Sequence, residues 1–157
     1  MGENPELNKD ETIIRKIKFR GKRVDNGKWV RGYGIKISIS GTVIIYDKNE
    51  LEWFEVIPET VGEYTGCRDK NCKEIYEGDI VKFPSFYDDT LSENFSAKNP
   101  QICEVIRKNG CYGVIPNADY QFFHEFYSFS KMEEDIGIEQ DDIEIIGNIY
   151  ENPEKVI

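Results

Sequence analysis

The sequence lacks long hydrophobic runs, and it contains few of the patterns that build catalytic or metal sites. Its longest uninterrupted apolar runs have about four residues, as at 43–46, whereas a membrane span needs roughly 18 to 20. It contains no Gly-x-Ser-x-Gly motif, no phosphate-binding glycine loop and no calcium-loop spacing. We therefore predict that the protein does not cross a membrane, is not an enzyme, and uses neither a cofactor nor a metal ion.

Histidine is represented by His124 alone, within the aromatic segment 122–126. A general base at this position would need an acid to orient it, and the adjacent Glu125 would point to the opposite face of a strand. We interpret His124 as a partly exposed structural residue. The clustered carboxylates between 133 and 144 are likewise interpreted as an acidic face in contact with water.

The four cysteines give no strong sign of a metal site. Cys67 and Cys72 have four residues between them, but Cys103 and Cys111 have seven, which is too many for the usual pair of structural zinc ligands. An even number of cysteines permits two disulfides, with three possible connectivities. Because residues 1–15 lack the apolar region of a secretory signal, we expect reduced thiols in a bacterial-type cytoplasm.

Basic residues are concentrated in the first third of the chain. The chain has 20 Lys and Arg against 30 Asp and Glu, a net charge of −10. Residues 12–48 hold ten basic and two acidic side chains, a net +8, whereas residues 49–157 hold nine basic and twenty-four acidic ones, a net −15. This asymmetry predicts a contact between opposite charges, either within the chain or between copies of it.

Apolar and polar residues mostly alternate in short segments bounded by Gly, Asn or Asp, which is typical of antiparallel strands. We predict a mainly β fold, a β-rich α+β domain in which an antiparallel meander leads into a twisted sheet or small barrel. Strands are predicted at 16–20, from 29 onward, and at 35–39, 43–46, 51–57, 80–83, 102–106, 112–115 and 142–149. Little helix is expected, near 58–62 or 122–132, and the segment 120–136 fits either a helix or a bent strand.

One domain is expected over residues 12–157, preceded by a disordered or extended tail at 1–11. The stretch 84–100 is rich in Ser, Asp and Asn, which predicts a long surface loop. Asn109 and Gly110 favour a tight turn between two strands, and this segment is the clearest hairpin of the sequence.

Three strings of the sequence resemble those of one protein family. The opening string is KIKFR at 16–20, the central string at 63–81 includes EYTG, RDKN and KEIYEGDIV, and the closing string is IIGNIYENP at 145–153. In this order they resemble the opening, centre and close of the YopX family of phage and prophage proteins. The resemblance covers nearly the whole chain. It implies a phage or prophage origin, and it brings no activity, cofactor or catalytic residue with it.

Two cysteines depart from the central string of the family. Cys67 stands where Leu is usual, a replacement that keeps a small apolar side chain. Cys72 stands where Gly is common, and a two-residue hairpin turn of type I′ needs positive φ at both central positions. The turn at 70–73 is therefore either of another type or strained at Cys72 by roughly 1 kcal/mol.

Basic residues with nearby aromatic side chains form the strongest candidate binding site. In the strand at 16–20 the basic side chains are expected to face water, while Ile17 and Phe19 face a core. The predicted binding residues are Lys16, Lys18, Arg20, Lys28, Trp29 and Arg31. Small β-barrels bind single-stranded nucleic acid with cationic, aromatic grooves of this kind. The alternative interpretation is the solvated outer face of a sheet, with Trp29 in the core.

These observations favour a non-catalytic protein-interaction module of phage or prophage origin in the bacterial cytoplasm. We expect it to act as a homo-oligomer held by unlike charges and unpaired strand edges, or by binding a host protein. The alternative is a weak nucleic-acid-binding protein that uses the basic face of residues 16–31. The acidic remainder of the chain disfavours this alternative, because it repels phosphate at long range.

Overall fold

The computed structural model describes residues 16–84, 100–115 and 126–156, and β-strands predominate among them. The strands are β1 (Phe19–Lys22), β2 (Trp29–Gly32), β3 (Gly34–Ile37), β4 (Val43–Asp47), β5 (Glu52–Val56), β6 (Gly62–Arg68), β7 (Glu74–Tyr76), β8 (Asp79–Phe83), β9 (Gln101–Lys108), β10 (Cys111–Val114), β11 (Tyr127–Ser128) and β12 (Glu144–Asn148). One short α-helix, α1 (Met132–Ile136), and 3₁₀ turns at Pro58–Thr60, Gln140–Asp142 and Pro153–Val156 accompany them. The prediction of a mainly β fold with little helix is confirmed.

The strands pair antiparallel in three sheets, one of which curls into a half-barrel. Their orders are β2-β1-β6-β7, β3-β4-β5 and β11-β10-β9-β8-β12. The chain leaves the first sheet after β2, builds the three-stranded meander β3-β4-β5, and returns as β6 beside β1. The predicted hairpin at Asn109 and Gly110 is present between β9 and β10. Both turn residues have positive φ, +52° and +81°.

The first core lies between the β1–β2 hairpin and the three-stranded sheet. Its buried side chains are Val30, Val43, Ile45, Phe54 and Val56. The backbones approach closely here, because a Cβ on Gly21 would lie 2.9 Å from the Cβ of Val56, and one on Gly32 only 1.6 Å from the carbonyl oxygen of Tyr46. One face of β1 is thereby fixed against an apolar layer.

The second core lies under the five-stranded sheet. It consists of Ile75, Val81, Phe83, Cys103, Val105, Val114, Met132, Ile138 and Ile143. All four cysteines are free thiols: Cys103 is buried in this core, Cys67 packs against it, and the other two are exposed. Burial raises the pKa of the Cys67 thiol above its usual value.

The predicted exposure of the opening string is wrong for Ile17 and for Arg20. Ile17 is 46% exposed, whereas Arg20 is only 4% exposed. The alternation itself is right, since Phe19 packs on the first core and Arg20 lies on the opposite face of β1. That opposite face is covered by later parts of the chain instead of water, and Ile17 precedes the strand.

Several predictions fall outside the described residues: the tail at 1–11, His124, and all of the 84–100 loop except its two ends. Within 120–136, the described part contains both a short strand, β11, and the helix α1. The expected helix near 58–62 is a single 3₁₀ turn that begins at Pro58. In the described part of the chain no helix is long and apolar enough to span a membrane.

The turn between β6 and β7 is of a different type from the two-residue turn considered above. The Asp69 N–H donates to the carbonyl oxygen of Lys73 at 2.8 Å, and the Cys72 N–H donates to that of Asp69 at 2.9 Å. The hairpin therefore has a three-residue loop, 70–72, whose last residue takes the left-handed conformation. Cys72 has φ +60°, so a side chain occupies a position that favours glycine.

We expect Cys72→Gly to leave stability unchanged or to raise it by up to about 1 kcal/mol, measured by the urea midpoint. Relief of left-handed strain is offset in part by the greater freedom of Gly in the unfolded chain. Cys72→Ala is the matched control, because it removes the thiol and keeps Cβ, so it should bring no such gain. A clear loss of stability in Cys72→Gly alone would show that the backbone gains nothing from glycine here.

Candidate binding site

The basic side chains of β1 lie on one face together with residues of its partner β2. Arg20 is directly opposite Arg31, and Lys22 is opposite Trp29. Lys18 comes two residues before Arg20 and extends the same face. The structure thus brings together four of the six predicted binding residues: Lys18, Arg20, Trp29 and Arg31. The other two lie apart, since Lys16 lines a separate groove of about 690 Å³ and Lys28 is exposed beside the hairpin turn.

Arg20 is the centre of this face, and it forms a buried ion pair. Its Nη1 donates to Asp79 Oδ1 at 2.5 Å, and its Nη2 donates to the carbonyl oxygen of Glu77 at 3.2 Å. The guanidinium carbon lies 4.7 Å from the ring centroid of Trp29 and 5.1 Å from that of Tyr76. Cation–π contacts of a desolvated guanidinium compensate part of its lost hydration.

Asp79 is 2% exposed, and its second oxygen accepts the backbone N–H of Tyr76 at 2.8 Å. Burial raises the pKa of this carboxyl above its usual value, and the charge of Arg20 offsets part of that effect. Asp79 begins β8 directly after Gly78, which has φ +82°. The segment 77–79 is therefore a turn that precedes β8, and it also supplies the acid for Arg20.

The neighbouring cations of β1 are paired in the same way. Lys18 Nζ binds Glu74, which also accepts a hydrogen bond from the Tyr76 hydroxyl at 2.9 Å. Burial alone would raise the pKa of Glu74, but these partners outweigh it and lower the pKa. Lys22 Nζ lies 3.1 Å from Glu151 Oε1. The charge asymmetry of the sequence is thus met at least partly within the chain.

A cleft of about 280 Å³ opens beside the Arg20–Asp79 pair. Its lining residues are Arg20, Trp29, Arg31, Lys73, Asp79, Ile145, Ile146, Gly147, Asn148, Glu151 and Asn152. Glu151 is held in place by Trp29 Nε1 at 3.1 Å and by Asn148 Nδ2 at 2.8 Å. A Cβ on Gly147 would lie 2.4 Å from Asn152 Oδ1, so the turn at 147–152 is closed tightly by the absence of a side chain.

The three strings of the family resemblance converge on this cleft. Arg20 belongs to the opening string, Lys73 and Asp79 to the central one, and residues 145–148, 151 and 152 to the closing one. Asp69 ties the last two together, because its Oδ1 accepts the N–H groups of residues 71 and 73 and its Oδ2 accepts that of Ile145. Sequence reasoning did not single out Lys73 or Asp69 as site residues. Their presence in the string that resembles the family was the available signal.

Among the residues that the structure describes, no group of three or more His, Cys, Asp or Glu side chains could hold a metal ion. The cleft brings together arginines, a lysine and carboxylates that are already hydrogen-bonded. Such an arrangement is suited to recognition through charge and hydrogen bonds.

The comparison with protein-family models agrees with the resemblance of the three strings. A family profile described as "YopX protein" matches residues 18–156. None of the curated proteins matches the chain. Among solved structures, the crystal structure of protein EF1440 from Enterococcus faecalis is similar with a TM-score of 0.45 and 20% identity, over 90% of this chain and 98% of that one.

We expect Arg20→Met to lower the free energy of unfolding by about 3 to 5 kcal/mol, because it leaves Asp79 buried without its cation. The double variant Arg20→Met/Asp79→Asn should lose less than the sum of the two single losses, as measured in a urea double-mutant cycle. Arg31→Met is the control, an exposed arginine directly across the strand pair, and should change stability by less than about 0.5 kcal/mol. Additive losses would contradict a coupled pair.

Asp69→Asn should destabilise the fold by about 2 kcal/mol at neutral pH. The substitution replaces one carboxylate oxygen by an amide nitrogen, which cannot accept the hydrogen bond that a backbone N–H group donates to that oxygen in the wild type. Burial raises the pKa of Asp69, but the hydrogen bonds from Ile145, Lys73 and Asn71 outweigh this and place the folded pKa below the unfolded value. The stabilisation is therefore complete above the unfolded pKa and is lost as pH falls through the folded pKa. The difference between wild type and variant should shrink below about pH 4.

The matched control is Asp141→Asn, an exposed acid in the neighbouring 3₁₀ turn, which should give a difference near zero at every pH. Urea unfolding at a series of pH values measures both variants. A difference for Asp69→Asn that stays constant down to pH 2 would rule out a depressed folded pKa.

Proposed function

The chain belongs to the YopX family, and from its fold and surfaces we propose that it is a non-catalytic protein-interaction module of phage or prophage origin. It works in the cytoplasm of the bacterial host, either by assembling with copies of itself or by binding a host protein. The observation that carries this proposal is the distribution of exposed apolar side chains.

Large hydrophobic side chains are exposed mainly on one part of the molecule. Of the eight such residues in the described part of the chain, six lie in or beside the three-stranded sheet, within 33–57: Tyr33, Ile37, Ile39, Leu51, Trp53 and Ile57. Ile37 and Trp53 lie in strands of this sheet, and the other four lie in the segments that flank its strands. Scattered single apolar residues are normal on a protein surface, but a concentration in one part of the molecule is typical of a contact surface.

The outer side of this sheet carries an aromatic face, which we define as Ile44, Tyr46 and Trp53 with Lys36. The rings of Tyr46 and Trp53 lie 5.3 Å apart, and Lys36 Nζ lies 4.2 Å from the Trp53 ring centroid. Trp53 stays 37% exposed despite these contacts. Tryptophan and tyrosine are enriched at the centres of protein interfaces, and they lose little conformational entropy when a partner covers them.

β3 also forms an edge of this sheet, since β4 is its neighbour in the order β3-β4-β5. Ser38 donates its backbone N–H to Thr42, so the hydrogen-bonded pairs of β3 and β4 are those of Gly34 and Lys36 by alternation. The backbone groups of Ile35 and Ile37 therefore point toward the edge. Two such edges can pair around a two-fold axis, which favours self-assembly.

The ion pairs of the basic face disfavour nucleic-acid binding. Lys18, Arg20 and Lys22 are engaged with acidic partners, as shown above, and would have to break those pairs to reach phosphate groups. A phosphate-binding surface needs several free cations, and each of them contributes to the salt dependence of binding.

We expect light scattering to give a multiple of the chain mass at low salt and at high salt, because the contact is mainly apolar. Trp53→Glu should weaken association by about tenfold or more. Ile17→Glu is the matched control: it introduces the same charge at an exposed apolar residue outside the sheet, and it should leave the mass unchanged. Urea midpoints of both variants establish that they are folded.

If the wild type is a monomer, affinity capture from a bacterial lysate tests the second alternative, that the protein binds a host protein. A protein retained by wild type and Ile17→Glu but lost with Trp53→Glu would support the proposal. A monomer that captures no such protein would contradict it. A monomer that binds labelled DNA or RNA tightly at physiological salt would favour the nucleic-acid alternative.

A further inference from the structure

The cleft beside Arg20 has positive charge that the described part of the chain does not neutralise. Arg31 comes from β2 and Lys73 directly precedes β7, the two outer strands of the four-stranded sheet. Both side chains line the cleft, both are exposed, and neither forms an ion pair with the described residues. Arg31 contacts the ring of Tyr76, at 6.0 Å from its centroid, which leaves its N–H groups free to donate.

The acids of the cleft already accept hydrogen bonds from other residues. The two oxygens of Asp79 accept hydrogen bonds from Arg20 and from the backbone N–H of Tyr76. Glu151 binds Lys22 and Trp29 through Oε1, and it binds Asn148 through Oε2. Among the described residues, Arg31 and Lys73 form no ion pair with either carboxylate, and the charge of Lys73 acts on Asp79 only at longer range, where it lowers the pKa of that carboxyl.

A buried donor at the same place is also unmet. Arg20 is 4% exposed, and its Nε has no hydrogen-bond acceptor within the described residues. Buried N–H groups nearly always have an acceptor, since the loss of hydration is otherwise uncompensated. The cleft thus combines two free cations with an arginine whose hydrogen-bonding capacity is not exhausted.

From this arrangement we infer that the cleft binds a carboxylate group presented by a partner protein, with Arg31 and Lys73 as its direct ligands. A volume of about 280 Å³ admits one side chain or a chain terminus, and it is at the lower limit of small-molecule pockets. Asp79 and Glu151 lie close by, so a singly charged carboxylate is favoured over a doubly charged phosphate. The side of Trp29 offers apolar surface for the methylene groups of a glutamate.

This inference rests on the proposed function, because a protein partner is what would supply the carboxylate. The group can come from an Asp or Glu side chain or from a C-terminus. Arginine recognises both in the same way, through paired hydrogen bonds to the two oxygens.

The test is a titration of the full chain at constant ionic strength, monitored by ¹H–¹⁵N NMR. The probes are short peptides: one with a blocked N-terminus and a free C-terminal carboxylate, one blocked at both ends with a central Glu, and one blocked at both ends with a central Gln. Inorganic phosphate is the fourth probe. The indole N–H of Trp29 lies in the cleft, and that of Trp53, on the aromatic face, is an internal control.

We expect at least one carboxylate peptide to shift the Trp29 signal in a saturable way, while the Gln peptide does not and Trp53 stays unchanged. Which carboxylate peptide binds more tightly identifies the source of the group. Arg31→Gln and Lys73→Gln should each weaken binding by about tenfold. Lys28→Gln removes an exposed lysine of the same hairpin outside the cleft, and it should have no effect.

The inference is overturned if neither carboxylate peptide binds more tightly than the Gln peptide, if phosphate binds more tightly than both, or if Arg31→Gln and Lys73→Gln bind as the wild type does. Both replaced residues are exposed, and urea midpoints check that the variants are folded. The readout is independent of oligomeric state and of Trp53. Failure here therefore leaves the proposed function standing, and loss of the Trp53-dependent contact does not affect this result.

Discussion

The buried ion pair between Arg20 and Asp79 is the constraint around which the rest of the molecule is arranged. Removing two charges from water is costly, and an ion pair of this kind adds little to stability compared with an apolar pair of the same shape. It demands a strict geometry in return. Trp29 and Tyr76 must flank the guanidinium, and the carbonyl of Glu77 must accept its second N–H group. Positions 59 residues apart in sequence are thereby placed at hydrogen-bond distance.

The two faces of β1 have different environments because of this pair. Gly21 meets the apolar layer of Val56, and Arg20 and its neighbours meet the acids of later segments. The strand is therefore enclosed on both sides, although its sequence alternates as if one side were in water. The surfaces that we propose for recognition lie elsewhere, in the cleft at the edge of the ionic layer and on the aromatic face of the three-stranded sheet.

The sequence was informative where local residues determine the structure. Asn109 and Gly110 require a tight turn, and the alternation around them admits only a hairpin. β6 was missed for a local reason too. Gly66 has φ +89°, and the pairing of β6 with β7 shifts register between Tyr64 and Arg68, so the two-residue periodicity is interrupted within the strand.

The environment of the basic residues could not be predicted in the same way. Trp29 and Arg31 were predicted as binding residues because basic residues lie near aromatic ones in this part of the sequence. The acidic partners of Lys18, Arg20 and Lys22 lie far along the chain, and periodicity does not say which distant segment covers a given face. The charge asymmetry predicted a contact between opposite charges, but it did not specify which residues form that contact.

The sequence separation of Trp29 and Glu151 has a consequence for synthesis. The hydrogen bond between them joins residues 122 positions apart. At about 5 to 20 residues per second, a ribosome needs roughly 6 to 24 s to reach Glu151 after Trp29 has been made. During that time the acids that enclose β1 are still being added one after another. The surroundings of the ribosome thus meet the segment 12–48 with a charge of +8 that these later acids do not yet offset.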